Sequence, residues 1–289
     1  MFALLAQHLV DGIVSGAILA LPALGLALIW RIAGFPHLAH GSLITIGAYV
    51  AWAALTQANI LFPIAILLAL IAVALLGIGM HKGIYSRLAG QPMFSLFLAS
   101  IGIELFLRYG TILTFGADFR TFPFPPQRGI RMGIVTITPN DLILLLVAIG
   151  SLFAVWWMLR RTRIGREMRC VADNLDLARL NGINPQRALL AMWVIASVLA
   201  GIAGILLGVR DVLTPTLGWD ILLLAFAAAI LGGIANPFGA AIGAFLMGIV
   251  SQVGILWLPS SYESGIAFAL IIVVLFVRPR GLFGESARI

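Results

Sequence analysis

The stretch RRTRIGREMRCVADNLDLARLNGINPQR, residues 160–187, is the one long charged segment of an otherwise apolar chain. It holds seven arginines and three acidic residues, although the 289-residue sequence is 62% hydrophobic and only 10% charged. Uninterrupted apolar runs lie on both sides of it. A charged segment between such runs must lie in water at a membrane surface. These residues therefore separate two sets of membrane-embedded segments and are available to contact a partner on the aqueous side.

The apolar runs predict the fold class. A helix needs roughly 20 apolar residues to span the hydrocarbon core, and backbone there must satisfy its own hydrogen bonds. Barrel strands alternate polar and apolar residues over about ten positions, whereas these runs are apolar on every side. We expect an all-α integral membrane protein, a polytopic helical bundle of about eight or nine transmembrane segments in one domain, residues 1–289. The segments lie at about 8–30, 42–56, 61–80, 93–115, 139–159, 188–210, 219–235, 239–258 and 264–277.

Basic residues fall on alternate loops between these segments. The positive-inside rule places such loops in the cytoplasm, which puts the N-terminus outside and the C-terminus inside. Residues 116–138 depart from the rule, because they carry three arginines although parity sends them outside. Their run FPFPPQRG, residues 122–129, predicts an extended segment on the outer surface. The basic loops contain Arg31, Lys82 with Arg87, the 160–187 segment, and Arg278 with Arg280.

Two apolar segments are interrupted by proline and glycine. The first is GFPHLAHGSLITIGAYV, residues 34–50, and the second is LGGIANPFGAAIGAFLMG, residues 231–248. Such interruptions in corresponding positions of two halves predict discontinuous helices around a transport site. The likeness between the two breaks is modest, and it is the only sign of an internal repeat.

Polar residues at the breaks have two interpretations. His37 and His40 either cap the broken helix or, with Gly41, line the path of a zwitterionic substrate, to which half-helix ends are suited. Asn236 at the second break has the same two interpretations. Two histidines without a nearby cysteine or carboxylate make a poor metal site, so no metal is expected.

Glu104 and Arg108 are the charged residues inside the fourth apolar segment. They are four residues apart and so share one helix face, where they can pair. An unpaired charge at the bilayer centre costs roughly 2.5–3.5 kcal/mol on insertion scales. We favour a structural ion pair over contact with substrate.

Local patterns predict an ordered element within residues 160–187. Val171, Leu175 and Ala178 are spaced as one apolar stripe of a short helix. Residues 181–182, Asn-Gly, end that helix, because glycine adopts the left-handed cap conformation without a Cβ penalty. Residues 184–185, Asn-Pro, are an N-cap and first-turn pair that opens the next span. The sequence predicts a helix, a sharp turn and then a membrane helix.

The competing interpretation is a solvated loop whose arginines fix topology and contact lipid headgroups. It accounts for Arg160, Arg161 and Arg163, which lie at the membrane edge. It does not account for the capped helix beyond them, which a docking element explains. The net charge of +7 has the same topological origin, so no nucleic acid partner is expected.

Several of these segments resemble LivH-type permeases, the membrane subunits of bacterial high-affinity branched-chain amino acid ABC importers. The likeness covers nearly the whole chain. It includes GREMRCVADNLDLARLNGINPQRALL (165–190), SVLAGIAGILLG (197–208), AFAAAILGGIANPFGAAIGAFLMGIV (225–250), LFVRPRGLFG (275–284) and the early break at residues 34–50.

The resemblance implies a role for the charged segment and a set of partners. It makes residues 160–187 a cytoplasmic coupling loop that inserts into a cleft of an ATP-binding cassette subunit. Asn174 departs from the family pattern, in which a second acidic residue is expected. A second, distinct permease subunit and a periplasmic or lipid-anchored substrate-binding protein are implied, in the bacterial inner membrane. The contact residues would be Arg166, Glu167, Arg169, Asp173, Leu175, Ala178 and Gly182.

The chain itself lacks the usual backbone cradle for binding ATP. It has no GxxxxGK[ST] phosphate loop, and Lys82 is its sole lysine. We expect no catalytic residues and no cofactor, with ATP bound by the partner. The expected function is an ABC importer permease for an amino acid, branched-chain by resemblance. Urea or short amides are the alternative substrates. An ion-coupled secondary transporter and an intramembrane enzyme are less favoured, because coupling carboxylates and metal-ligand spacings are missing from the sequence.

Overall fold

The computed structural model describes residues 1–125, 127–259, 262–279 and 281–284, and in these residues it is an all-α membrane bundle, as predicted. A π-helical turn, His81–Tyr85, continues α3, and two short strands, β1 and β2, pair antiparallel. The helices are α1 Phe2–Ala33, α2 His40–Thr56, α3 Phe62–Met80, α4 Met93–Phe115, α5 Pro139–Arg161, α6 Arg163–Asp173, α7 Leu175–Leu180, α8 Pro185–Arg210, α9 Leu217–Gly232, α10 Pro237–Gly254 and α11 Glu263–Val277; the strands are β1 Ile130–Met132 and β2 Val135–Ile137.

Nine of these helices match the nine apolar segments read from the sequence, and α6 and α7 form the charged segment between two of them. Six are long and apolar enough to cross a membrane: α1, α3 with its π-helical turn, α4, α5, α8 and α10. Helices α9 and α11 are apolar but shorter. The chain is therefore a multi-pass membrane protein.

The two ends of the bundle are marked by contacts of α1. Near its start, the Gln7 side chain exchanges two hydrogen bonds with the backbone of Thr136 in β2, at 3.0 and 2.9 Å. At its other end, Arg31 forms an ion pair with Asp173 of α6 at 3.3 Å. We call these ends the hairpin face and the basic face.

The loops sorted by charge fall on these two faces. The C-terminal segment joins the basic face, because Leu282 and Phe283 donate backbone hydrogen bonds to the end of α9. Arg280 of the predicted basic set lies outside the described residues. The segment 116–138 lies at the opposite end, as parity required: Arg120 and Leu213 exchange backbone hydrogen bonds, and the Arg120 guanidinium stacks on Trp52 at 5.2 Å. The β-hairpin within it was not predicted.

Glycines bring the central helices into close contact. A Cβ built on Gly47 of α2 would lie 2.6 Å from the Cα of Gly201 in α8. A Cβ on Gly16 of α1 would lie 2.8 Å from the Cα of Phe245 in α10. Backbones approach this closely in membranes only where side chains are small. The packing fixes α1 at the centre of the bundle, between α8 and α10.

Candidate functional site

The charged segment folds as two short helices joined at Asn174, not as the single helix predicted through Leu175. Asn174 has extended backbone angles, φ −160° and ψ 112°. Its Oδ1 accepts hydrogen bonds from the backbone N–H groups of Asp176 and Leu177, at 3.0 and 2.9 Å. The side chain thus satisfies the first amides of α7 and ends α6. The residue that departs from the family pattern is the N-cap of the second helix.

The predicted turn after α7 is confirmed. Gly182 has φ +73°, the left-handed conformation. The N–H of Ile183 donates to the carbonyl of Ala178 at 3.0 Å, which closes the helix end in the manner of a Schellman motif. Asn184 then caps α8 through the N–H of Gln186 at 3.0 Å, with proline at the first helical position.

A small buried surface holds α6 and α7 against the bundle. Met168, Val171 and Ala178 are buried, and Gly165 lies so close to α5 that a Cβ there would be 2.6 Å from the Cα of Leu159. Of the predicted apolar stripe, Val171 and Ala178 face inward but Leu175 is 40% exposed. The stripe is wrong at Leu175, because the break at residue 174 rotates α7 relative to α6.

Charged side chains of the segment pair within the chain. Asp173 binds Arg31, and Glu167 pairs with Arg163 at 3.0 Å. The Arg169 guanidinium donates to the carbonyl of Leu159, so it ties α6 to the end of α5. Some residues implied by resemblance to contact an ATP-binding subunit therefore have structural contacts: Arg169 and Asp173 hold α6 against α5 and α1, and the Glu167 pair lies within α6. Ala178 is buried under α7, whereas Arg166 and Gly182 are exposed.

Exposed leucines complete this surface; sequence reasoning included Leu175 but missed Leu177 and Leu180. Leu177 is 55% and Leu180 is 82% exposed, on a helix that also exposes Leu175. We call Leu175, Leu177 and Leu180 the α7 leucines. Their spacing in LDLARL fits no single stripe, so periodicity does not find them; the signal was three leucines in a charged loop.

The first helix break lies inside the bundle. α1 ends at Gly34, which has φ +77°, and the chain turns back before α2 begins at His40. Both His37 and His40 are fully buried, and a Cβ on Gly25 of α1 would lie 2.9 Å from His40 Nε2. No side chain caps α2, so the interpretation of these histidines as helix caps is wrong.

Aromatic rings surround His37. Its ring centroid lies 4.9 Å from that of Trp193, 5.5 Å from that of Tyr85 and 6.1 Å from that of Phe35. Tyr85 stacks on Trp193 at 4.9 Å, and it reaches this position from the π-helical turn. Neither ring nitrogen of His37 has a hydrogen-bond partner in the described part of the chain. No local sequence pattern predicts that these residues meet, because they come from three separate segments.

The remaining predicted substrate-path residues lie in different places. Gly41 contacts α9, where a Cβ would lie 2.8 Å from the carbonyl oxygen of Gly218. Asn236 is on the basic face, where its Oδ1 accepts from the N–H of Gly239 at 3.1 Å and so caps α10. The structure therefore brings His37, His40 and Gly41 together but separates Asn236 from them.

The predicted ion pair is present. Arg108 Nε donates to Glu104 Oε1 at 2.8 Å, and Glu104 is buried. The hydroxyl of Ser42 in α2 donates to the Glu104 carbonyl at 3.1 Å, and the Arg108 guanidinium lies 4.7 Å over the ring of Trp219 in α9. The residues of the pair thus join α4 to α2 and to α9.

Comparison with known proteins agrees with the family resemblance found in the sequence. A family model described as the permease component of branched-chain amino acid transport systems matches residues 8–275. The chain is 30% identical over 293 residues to the high-affinity branched-chain amino acid transport permease BraD of Pseudomonas aeruginosa, covering 96% of this chain and 95% of that one. LivH of Escherichia coli K12 gives the same identity and coverage.

More distant similarities extend to an archaeon and to a solved complex. A probable LivH of Methanocaldococcus jannaschii is 29% identical over 303 residues, covering 94% of this chain and 90% of that one. A chain of PsaBC from Streptococcus pneumoniae, solved in complex with Fab, aligns with a TM-score of 0.48 at 14% identity, over 96% of this chain and 91% of that one.

Proposed function

Because this chain belongs to the family of branched-chain amino acid transport permease components, we propose that it forms the membrane pathway for a branched-chain amino acid in an ABC importer of the bacterial inner membrane. Its curated relatives are named for that transport system, over nearly their whole length. The hydrolysis of ATP takes place in a partner subunit. Urea and short amides remain the alternative cargo, to be decided by uptake.

The observation that carries the proposal is the pair of short helices α6 and α7 on the basic face, which we call the docking helices. They expose Leu177 and Leu180 although their other side is packed on the bundle. Exposed leucine surface costs about 25 cal/mol per Å² in water, so a cluster on an ordered helix favours a partner. The cleft of an ATP-binding cassette subunit would cover these leucines, with Arg166 and Gly182 beside them.

Anchoring of these helices suits the transmission of movement. α6 contacts α1 through the Arg31–Asp173 pair and α5 through Arg169 and Gly165. A force applied at α7 by a partner would therefore reach three membrane helices, since α8 follows directly after Gly182. A flexible loop in place of these helices would transmit no such force.

Orientation and further partners complete the proposal. The positive-inside rule puts the basic face in the cytoplasm, which places the N-terminus outside and the C-terminus inside. A periplasmic or lipid-anchored binding protein would then deliver substrate at the hairpin face. A second permease subunit, distinct from this chain, would complete the pathway.

Reconstitution tests the function directly. Proteoliposomes containing the permease, its second subunit and the ATPase subunits, with binding protein added outside, should accumulate labelled leucine when ATP is supplied to the cytoplasmic side. Omitting the ATPase should abolish uptake. Uptake driven by a proton or sodium gradient alone would instead establish an ion-coupled transporter.

A substitution at the α7 leucines tests the docking surface. Leu180→Asp should abolish co-purification of the ATPase subunit and leave insertion of the permease unchanged. The matched control is Ile134→Asp, because Ile134 is 57% exposed in the turn of the hairpin on the opposite face. Equal ATPase binding by the two variants would contradict docking at α7.

A further inference from the structure

A polar cavity lies near the hairpin face, away from the helix breaks. Its volume is about 320 Å³, and it is enclosed by α1, α8, α9 and α10. This end of α8 is close to the hairpin face, because Leu213 pairs there with Arg120. Pockets for small ligands begin at about this size.

Two opposite charges line the cavity. The Arg210 guanidinium donates to the hydroxyl of Ser15 in α1 at 2.9 Å through one of its five N–H groups. Asp211 follows it, at the point where α8 ends. Partial burial raises the pKa of the Asp211 carboxyl, and the Arg210 guanidinium opposes that rise. Asp211 lines the cavity and is an exposed residue, so its carboxyl is accessible to a ligand.

Within the described part of the chain, no ion pair joins these two charges, although they interact through space. Among the ion pairs of the described residues, neither Arg210 nor Asp211 takes part in one. Glu104 and Arg108 show what a structural pair looks like in the same chain, with side chains joined at 2.8 Å. Arg210 and Asp211 instead present an unpaired cation and an unpaired anion to one space.

The rest of the lining has two characters. Ser15, Ser251 and Gln252 add polar groups around the charges. Ile18 and Met247 form part of an apolar wall, and both are buried. A ligand that fits must therefore carry both charges on a small head and an aliphatic group beside it.

We propose that this cavity binds the substrate as an α-amino acid zwitterion, with Arg210 on its carboxylate, Asp211 on its ammonium and the apolar wall on its side chain. A guanidinium suits a carboxylate because it offers parallel donors in a planar fork. The proposal rests on the function proposed above and adds where the pathway recognises its cargo.

Cysteine protection tests occupancy without relying on transport. Cys170 is the only cysteine in the sequence and is exposed, so Cys170→Ser gives a thiol-free background. Ser251→Cys then places one thiol in the cavity wall. In proteoliposomes of the whole transporter, L-leucine at about three times its dissociation constant should slow modification of that thiol by about 4-fold. Leucinamide, which lacks the carboxylate, and N-acetyl-leucine, which lacks the ammonium, should give no protection.

Substitutions assign the two charges. Arg210→Gln and Asp211→Asn should each raise the leucine concentration needed for protection by roughly 10-fold or more, since each removes a charged hydrogen bond. Arg210→Lys should raise the required leucine concentration less, because lysine keeps the positive charge. Arg131→Gln, on the exposed hairpin, is the control and should match wild type; insertion of every variant is checked by size-exclusion chromatography.

The outcomes separate this site from the function. If the transporter takes up leucine with ATP but leucine gives no protection, or both blocked analogues protect equally, the zwitterion site is wrong and the function stands. If no ATP-driven leucine uptake occurs, the proposed function fails, whatever the cavity binds.

Discussion

Replacing Gly182 with valine tests the docking helices through the backbone alone. Gly182 has φ +73°, and a Cβ built there meets no atom within 4 Å. The substitution thus creates no clash, and its whole cost is that of holding an L-residue in the left-handed region. That cost is about 1–2 kcal/mol, and valine is worse than most residues because it is β-branched.

The strain introduced by valine acts on α7, a helix with few packing contacts. α7 has six residues and buries only Ala178, so strain at its C-terminal turn is relieved by local opening rather than by unfolding of the bundle. A shift of about 1–2 kcal/mol changes the local equilibrium by about 5- to 30-fold. The ATPase subunit binds the form in which the turn at Gly182 is closed. Once this form is no longer the main state, the dissociation constant for the ATPase subunit rises by the same factor.

A binding titration checks the magnitude. Purified permease in nanodiscs is titrated with the ATPase subunit, and leucine uptake is measured in parallel. Gly182→Val should bind up to about 5- to 30-fold more weakly and lose uptake, with thermal stability of the bundle unchanged. Gly182→Asn is the matched control, because asparagine tolerates the left-handed conformation, and it should stay near wild type. Equal weakening by valine and asparagine would show that the turn geometry is irrelevant.

Two further predictions concern the bundle. Gly47→Ala should destabilise the α2–α8 contact by about 1–3 kcal/mol in a thermal-stability assay, because its Cβ would lie 2.6 Å from the Gly201 Cα. Gly79→Ala is the control and should be neutral, because a Cβ there meets nothing within 4 Å. Equal melting temperatures of the two variants would contradict the close contact. Glu104→Leu should cost about 3–5 kcal/mol by leaving the partly buried Arg108 unpaired, and the double variant with Arg108→Leu should recover much of it. A double variant as unstable as the single one would argue against the ion-pair explanation.

The division of the chain into membrane helices was predictable because hydropathy and charge act over whole segments. Long apolar runs must be helical in lipid, and the basic loops other than residues 116–138 cluster on one face, so the nine segments and this clustering follow without knowledge of contacts. The cap at Gly182 was also predictable, because glycine after asparagine has a local reason to end a helix.

What could not be predicted depended on which helices become neighbours. The break at Asn174 was missed because periodicity across residues 171–178 permits one helix, and only the competition of a side chain for amides decides otherwise. His37 meets Trp193 and Tyr85 across long sequence separations, and so the aromatic enclosure has no local signal. Asn236 was placed with His37 because both are next to proline and glycine, yet they occupy separate places in the bundle.

The single helix α1 has a consequence for how the two faces of the protein communicate. Its 32 residues form a rod about 48 Å long, at 1.5 Å per residue. Arg31 joins one end to α6 through an ion pair, and Gln7 joins the other end to the hairpin through hydrogen bonds. Since a helix resists compression along its axis, a displacement of α1 at the basic face would move the hairpin face as well, and Pro22 is the position inside α1 where the helix can bend.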